Sequence, residues 1–487
     1  MFTYDKIPTN WVSATLNEIS SIISGNPAPQ GEAFFINGVY PFVRVQDLGK
    51  MGNEVLLQDT KDHINEKAIS KRKIFPKNTI LFTKSGMSTL LNQRAILGKD
   101  MYVVSHIGGI IPFTGIDYKY LYYFMKTVDF KILTHATTLP SLQLSKVGSL
   151  SAPIPPLAEQ VRIVSKIEEL FSRLGAGVRS LQAAQTQLEQ YRQATLRQAY
   201  TGKLTKKWRQ KNGQKIQSRD SLLRLILDDK WLSHYENVVW NDLPDCWIKV
   251  DLNDLSWDSQ YGTSAKCRYE NKGTPVLRIP NIVNGGIDLN DLKYIESEKE
   301  ISFEPLSKND FLIIRTNGSK NLIGAAALIT DNFNSPHYFA SYLIRFRLKD
   351  IGLIPKWINE IWKSIDIRKL ILANASTSAG QYNINKTKLG NFKINIPSIS
   401  EQEIIVNKLD EIHSLYKYIK YQIDKNIIIS LSLKQSIFKS AFEGRLVPQD
   451  PNDEPASMLL EKIKVEKASG KPSRKGRESR GQMRLVE

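Results

Sequence analysis

Cysteine, histidine and acid are all in short supply in this chain. Only Cys246 and Cys267 occur among 487 residues, with no C-x-x-C and no neighbouring histidine pair, which excludes the usual zinc spacings. A disulfide between them is open in principle, but so little cysteine in so long a chain is the usage of a reduced cytosolic protein. The six histidines fall at no metal-ligand spacing, and His106 and His135 sit beside apolar or turn residues, as structural histidines do. No G-x-x-x-x-G-K-[ST] run is present, so phosphate cradling of the P-loop type is excluded. The F-x-G-x-G and N-P-P-[FY] pair of adenine methyltransferases is missing too, and Asn26-Pro27-Ala28-Pro29 matches it only superficially. A nuclease-like set can be forced from Asp288, Glu296 and Lys299, but acidic surface loops produce such sets constantly. No basic segment followed by an apolar run opens the chain. The most apolar window, Val103 to Ile116, is broken by Ser105, His106, the Gly108-Gly109 pair and Pro112, and falls short of a membrane span. These absences describe a cytoplasmic reader or scaffold rather than a catalyst.

What is present is base. The 67 Lys and Arg against 49 Asp and Glu give a formal charge of +18 and a pI near 9.5. That balance makes a polyanion the first partner to expect, nucleic acid ahead of a membrane surface, because lysines and arginines that neutralise phosphates release condensed counterions. Its bland alternative is solubility. An apolar content of 41% suffices for ordinary cores, and the length allows roughly three or four domains.

The chain also contains itself twice. Residues Leu142 to Leu204 reappear as Ile384 to Leu446 at a constant offset of 242, without a gap, with 15 of 63 positions identical. Gly148 matches Gly390, Pro155 matches Pro397, and Gly202 matches Gly444. A looser repeat precedes each copy. Trp11 matches Trp247 at an offset of 236, and Arg44 matches Arg278, while the stretch Asn78 to Lys84 lies against Asn309 to Arg315 at 231. Short β-branched and aromatic runs at Val39 to Val45, Thr79 to Thr83 and Met101 to Val104 predict strands, as do Val276 to Ile279, Asp310 to Arg315 and Ala325 to Ile329. Helices are expected at Tyr118 to Thr127 and Pro355 to Ser364, which completes an α+β domain present twice.

Each tight repeat enters a long helix through proline, near Ala158 and near Ser400, the latter a candidate N-cap, and each helix stops at its glycine. About 43 residues at 1.5 Å each give roughly 65 Å. Ile167, Leu174, Leu181, Leu188 and Thr195 recur every seven residues, with Leu170, Gly177, Ala184 and Tyr191 at the second seam position. Leu409, Tyr416, Ile423, Ser430 and Ile437 correspond to them, with Ile412, Ile419 and Leu433. Two such seams predict a pairing of the helices as a coiled coil. The open alternative is two long surface helices, each packed on its own domain. Between the halves, Lys203 to Lys215 is a basic linker, a phosphate contact or a solvated connector, followed by one helix over Ser221 to Trp240. The basic tail holds a short helix at Met458 to Ile463 and is otherwise expected to be disordered.

The two I-P-x-x-x-E-Q entries carry a resemblance: Ile154-Pro155-Pro156-Leu157-Ala158-Glu159-Gln160 and Ile396-Pro397-Ser398-Ile399-Ser400-Glu401-Gln402. With Ala199 to Thr205, Trp208-Arg209, Ala441 to Leu446 and Leu459 to Lys464, the whole chain resembles the specificity subunits of type I restriction-modification systems, type IA in particular. That resemblance implies a pseudo-two-fold α+β molecule in which target recognition domains at 1–140 and 243–383 alternate with helical spacers at 141–204 and 384–446. The helices pair as an antiparallel coiled coil, 205–242 is a basic linker with a helix, and 447–487 is a partly disordered basic tail. It implies a non-catalytic subunit that reads an asymmetric bipartite site on double-stranded DNA. Two modification subunits with S-adenosylmethionine and two motor-nuclease subunits with ATP and Mg²⁺ are its expected partners, and this chain itself holds no cofactor and no metal. Base reading needs bidentate side chains on loops, which nominates Arg44, Lys84, Ser85 and Arg94 in the first domain. Arg278, Asn281, Arg315, Asn317, Ser319 and Lys320 are nominated in the second, although the matched pairs Arg44 with Arg278 and Lys84 with Arg315 suit phosphate contacts or a shared structural role more than base reading. Glu159, Gln160, Glu401 and Gln402 are the candidate partner contacts, and the loops Thr137 to Gln143 and Ser376 to Tyr382 are expected to face DNA. The competing expectation is a coiled-coil DNA-binding scaffold without sequence specificity.

Overall fold

The computed structural model describes residues 7–51, 55–70, 72–134, 140–235, 238, 240–270, 272–297, 301–378 and 380–469. They form two compact units, one made of the residues up to Ser180 together with those from Lys425 onward, the other of Leu181–Asp424. Each unit therefore contains one strand-rich domain and parts of both long helices. No described helix is long and apolar enough to cross a membrane.

In the first unit, a five-stranded sheet runs in the order Ser20–Ser24, Ile107–Pro112, Ile80–Thr83, Arg94–Leu97, Leu56–Leu57. Successive side chains of a strand point to opposite faces, and here both faces are covered. Ile80, Phe82 and Ile96 pack with the helix Tyr118–Thr127, while Leu81, Ala95 and Leu97 pack under a second sheet. That second sheet has the order Asp62–Ile64, Tyr40–Val43, Met101–Val103, Ile74–Phe75. The second unit repeats the plan. Ser256–Tyr261, Leu343–Leu348, Asp310–Ile314 and Ala326–Leu328 form its main sheet, and Lys293–Ile295, Thr274–Leu277 and Tyr338–Phe339 form the other. Identities scattered through the repeat now have physical causes. A Cβ on Gly148 would lie 2.3 Å from Asn17 Oδ1, and one on Gly390 would lie 2.3 Å from Asn253 Oδ1. Asn78 and Asn309 hold φ of 68° and 69°, in the left-handed region that asparagine tolerates better than most residues.

The long helices span Leu157–Tyr200 and Ile399–Phe442, 44 residues each, so Ser400 lies inside the first turn rather than capping it. In the first unit, the ring of Phe171 meets that of Phe438 at 5.1 Å. In the second, Gln185 Nε2 donates to Asp424 Oδ1 at 3.3 Å and the Arg192 guanidinium covers the Tyr416 ring at 5.3 Å. Partner numbers rise on one helix as they fall on the other, which is antiparallel pairing. The seam differs from the one read in the sequence. Gly177, Ala184 and Tyr191 are exposed, and Phe171, Val178, Gln185 and Arg192 turn inward instead. Likewise Leu433 is exposed and Lys434 is not, while Ile412 and Ile419 are half-buried as expected. Polar Gln185 and Arg192 occupy seam sites because their partners, Asp424 and Tyr416, are polar too.

Two matched locks hold each domain on its helices. Trp11 Nε1 donates to Glu159 Oε2 at 3.0 Å, and Trp247 Nε1 donates to Glu401 Oε2 at 2.7 Å. The adjacent glutamines secure the next helix. Gln160 Oε1 accepts from Asp117 N and Gln402 Oε1 from Leu353 N, both at 2.8 Å, just ahead of Tyr118–Thr127 and Ile354–Ile361. All four residues are at most 1% exposed, so they are internal fastenings and not the outward partner contacts expected of them. Burial pushes the Glu159 carboxyl above its ordinary value, against the hydrogen bond from Trp11. Each carboxylate takes a further donor from the segment following the other long helix. Gln449 Nε2 reaches Glu159 at 2.6 Å, whereas Thr205 Oγ1 and Arg209 serve Glu401. Part of the basic linker is thus a structural latch, while Lys203, Lys206, Lys207 and Lys211 stay exposed. Gly202 and Gly444, with φ of 71° and 70°, end the turns that bring these segments in against Pro244 and Pro8. The stretch expected as one helix is two, Arg219–Ile226 and Asp229–Tyr235, because Leu227 is extended and buried in the core. The tail helix runs over Ala456–Ala468, longer than expected, with Leu459 and Ile463 buried in the first unit.

Glu401→Gln removes the carboxylate that holds part-buried Arg209 and misplaces a donor toward Trp247, so it should cost about 3 kcal/mol. Exposed Glu403→Gln should change stability by less than about 0.5 kcal/mol; urea midpoints of the two variants check this. Burial tends to raise the Glu189 carboxyl, but hydrogen bonds from Arg192, Gln193 and Tyr416 overcome it and hold it at about 2. Its stabilising contribution is then complete above the ordinary value of 4.5 and is lost progressively as pH falls from there through about 2. Carboxyl NMR titration should find Glu189 still ionised at about pH 3, where an ordinary glutamate is largely protonated.

Candidate nucleic-acid interface

The two domains present one scaffold with two sets of side chains. Where the buried strand Ile80–Thr83 emerges, Lys84 N donates to His106 O at 2.9 Å and Lys84 O accepts from Leu142 N at 2.8 Å. Where Asp310–Ile314 emerges, Arg315 N donates to Tyr342 O and Arg315 O accepts from Ile384 N, both at 2.9 Å. The backbone around Lys84 and Arg315 is therefore fixed identically on both sides, while the chemistry on it diverges. Lys84 Nζ donates to Ser24 Oγ at 2.7 Å, whereas the Arg315 guanidinium lies 4.7 Å from the centre of the Tyr261 ring. Ser85 Oγ meets His106 Nδ1 at 2.7 Å and Ser85 bridges to Ser141; at the matched place Thr316 pairs with Asn383. Ser24 and Tyr261 are themselves matched, each followed by a glycine whose Cβ would strike a carbonyl, that of Val104 at 2.1 Å or Ala340 at 2.3 Å.

Charge at this edge is uncompensated. Among the described residues, Lys84, Arg315 and Lys320 form no ion pair with a carboxylate, which leaves them available to phosphate oxygens. In the second domain the edge grows into a polar ribbon, Ser376–Ser378 with Gln381–Asn383, laid against Thr316–Asn317. Every described side chain of Ser376–Ser378 is exposed. Asn317 Oδ1 accepts from Ser319 N at 2.7 Å, Ser319 Oγ accepts from Asn321 N at 3.2 Å, and Lys320 Nζ lies 5.8 Å from the Tyr382 ring centre. Serine, threonine, asparagine and glutamine on a two-stranded ribbon are the equipment of groove reading. In the expected loop Thr137 to Gln143 of the first domain, residues 137–139 lie outside the described residues.

Four nominated residues belong elsewhere. Arg94 is 3% exposed, caps the carbonyls of Asn92 and Val128 and covers the Phe130 ring at 4.2 Å, so its guanidinium serves the core. Burial lowers its pKa to about 10. Asn281 is fully buried and ties down Asp288 O and Asp291 O. Arg44 and Arg278 share a backbone role: each N–H donates to the side chain three residues on, Asp47 or Asn281, at 2.7 Å. Their guanidinium groups are held by Asp62 and Asp291 and rest near Phe35 and Tyr269. Lys84, Ser85, Arg315, Asn317, Ser319 and Lys320 are the nominated residues that the fold gathers at the shared edge. Sequence reasoning missed His106, Tyr261 and Tyr342 there. The offset of 236 that joins Trp11 to Trp247 also joins His106 to Tyr342, and was the available signal.

Residues 8–179 and 244–427 match the family described as the type I restriction modification DNA specificity domain. The specificity subunit of the type I restriction enzyme EcoKI from Escherichia coli K12 is 25% identical over 492 residues, covering 96% of this chain and 99% of that protein. The StySPI specificity subunit of Salmonella potsdam is likewise 25% identical, over 482 residues, covering 95% and 96%. A solved structure described as the structural basis underlying complex assembly and conformational transition of the type I R-M system shares the fold. Its TM-score is 0.65 at 18% identity, covering 90% of this chain and 99% of that one. The paired matches fall on the two strand-rich domains and the helices that leave them, and the chain belongs to the family of type I restriction-modification DNA specificity subunits.

Proposed function

We propose that this chain is the sequence reader of a type I restriction-modification complex, each strand-rich domain reading one half of an asymmetric bipartite site on double-stranded DNA. The observation that carries this reading is the shared edge: one backbone clamp, two different sets of groove-compatible side chains. Two identical readers would recognise a palindrome, whereas two unlike readers on one scaffold suit an asymmetric site. Lys84, Arg315 and Lys320 supply phosphate contacts beside Ser85, Asn317 and Ser319, because phosphate contacts position and base contacts specify. The helices act as the spacer, so half-site separation becomes a geometric quantity, as dimer spacing is in other bipartite binders.

The chain itself catalyses nothing in this reading. Methyl transfer, with S-adenosylmethionine, belongs to two modification subunits docked on the helices, and ATP and Mg²⁺ enter with two motor-nuclease subunits. Helix faces turned away from the seam support such docking. Ile404, Leu415 and Tyr418, 37%, 55% and 62% exposed, share one side of their helix at spacings of eleven and three residues.

Co-production with the modification subunits, followed by genome-wide mapping of methylated adenine, should return one bipartite asymmetric motif. A continuous motif, or methylation independent of sequence, refutes the reading and favours a non-specific scaffold. Four residues inserted at matched places in both long helices add roughly 6 Å, about two base pairs at ~3.4 Å each. The motif of that variant should keep both half-sites and gain a longer spacer.

A further inference from the structure

We infer that His106 and Tyr342 are specificity-determining residues, each discriminating bases within its own half-site. This inference rests on the DNA-reading function proposed above.

The two residues occupy one position in the two scaffolds, and that position is unusually well fixed. The carbonyl of each accepts the N–H of the emerging cation, Lys84 or Arg315. The residue after each begins an inner strand and is fully buried, Ile107 or Leu343. Its N–H closes the same tight turn, Ile107 N to Val104 O at 3.0 Å and Leu343 N to Ala340 O at 2.9 Å. Two backbone hydrogen bonds and a buried neighbour thus hold a side chain that is exposed: His106 is open to solvent and Tyr342 is 55% exposed. An exposed aromatic ring on a turn adds little to the core. What differs between the halves is chemistry presented at a constant place.

That chemistry suits base edges. The His106 ring is oriented through Nδ1 by the Ser85 hydroxyl at 2.7 Å, which leaves Nε2 as the outward atom. Because the hydroxyl can donate or accept, it can select either tautomer, so Nε2 can meet an acceptor or a donor on a base edge. Tyr342 offers a hydroxyl at the end of a ring whose face can pack on a thymine methyl or an unstacked base. Lys84 and Arg315, one hydrogen bond away along the backbone, supply the cation that keeps a phosphate beside each reader. Acidic side chains would repel the duplex here, and among the described residues none pairs with either cation.

The test uses the full chain co-produced with its modification subunits. His106→Ala should relax one or two base positions in one half-site and leave the other half-site and the spacer untouched, while Tyr342→Ala should do the same in the opposite half. Competition binding with single base-pair substitutions should show discrimination at those positions falling on the order of ten- to a hundredfold. Should an alanine variant fail to fold, judged by thermal unfolding, His106→Gln and Tyr342→Phe decide the question at smaller amplitude. Unchanged motifs in both variants overturn the inference, and so does an equal loss of affinity for every sequence, which would make the position a phosphate contact or a structural one. A wild-type complex with no bipartite motif would instead bring down the underlying DNA-reading function.

Discussion

A buried indole N–H donating to a buried glutamate governs this architecture. Trp11 with Glu159, and Trp247 with Glu401, join the first residues of each globular domain to the first turn of the helix that leaves it. A carboxylate with almost no solvent contact must have its lone pairs filled, and each one recruits a further donor from residues after a long helix, Gln449 or Arg209. Domain start, helix start and helix end therefore meet at one polar point in each unit. The strands Val12–Thr15 with Ser151–Ile154, and Ile248–Asp251 with Lys393–Ile396, close the same junction with backbone hydrogen bonds. Removing the carboxylate would leave donors from both of the other segments unsatisfied at once.

Much of this was legible in the sequence because it rests on punctuation. Proline before each helix and glycine after it placed the 44-residue helices within a residue or two, and the β-branched and aromatic runs at Thr79 to Thr83 and Asp310 to Arg315 marked the central strands. Those signals are local. The Glu-Gln pairs were visible but misassigned, since charged and amide side chains are rarely fully buried unless paired, and their indole partners lie 148 and 154 residues away in sequence. The inner seam was misread for a related cause. A hydrophobic template selects Ala184 and Tyr191 over Gln185 and Arg192, although hydrogen bonding and ring stacking put the polar pair inside.

The candidate interface was legible only in part. Lys84 and Arg315 were found because both halves place a cation there. His106 and Tyr342 were not, because bidentate chemistry favours arginine, lysine and amide side chains, and a histidine beside apolar residues reads as structural. For a molecule whose halves share a scaffold and differ in target, the informative positions are those that align and disagree. Arg44 and Arg278 show the converse: agreement marked a shared structural duty, a backbone N–H satisfied by Asp47 or Asn281.

The two units also differ in how the chain supplies them. The second is a single uninterrupted stretch, Leu181–Asp424, whereas the first is assembled from residues before Ser180 and residues after Lys425. During synthesis the second can therefore close on its own contacts as soon as it has emerged, while the first must wait, its Glu159 and Arg162 lacking Gln449 and Asp453 until those later residues appear. Domains generally form from the N-terminus onward as they leave the ribosome. Here the order of completion is reversed: the earlier-made half is the later-finished one, and its exposed apolar surface in the interval, where Leu459 and Ile463 will dock, is the place where a nascent chain would need protection.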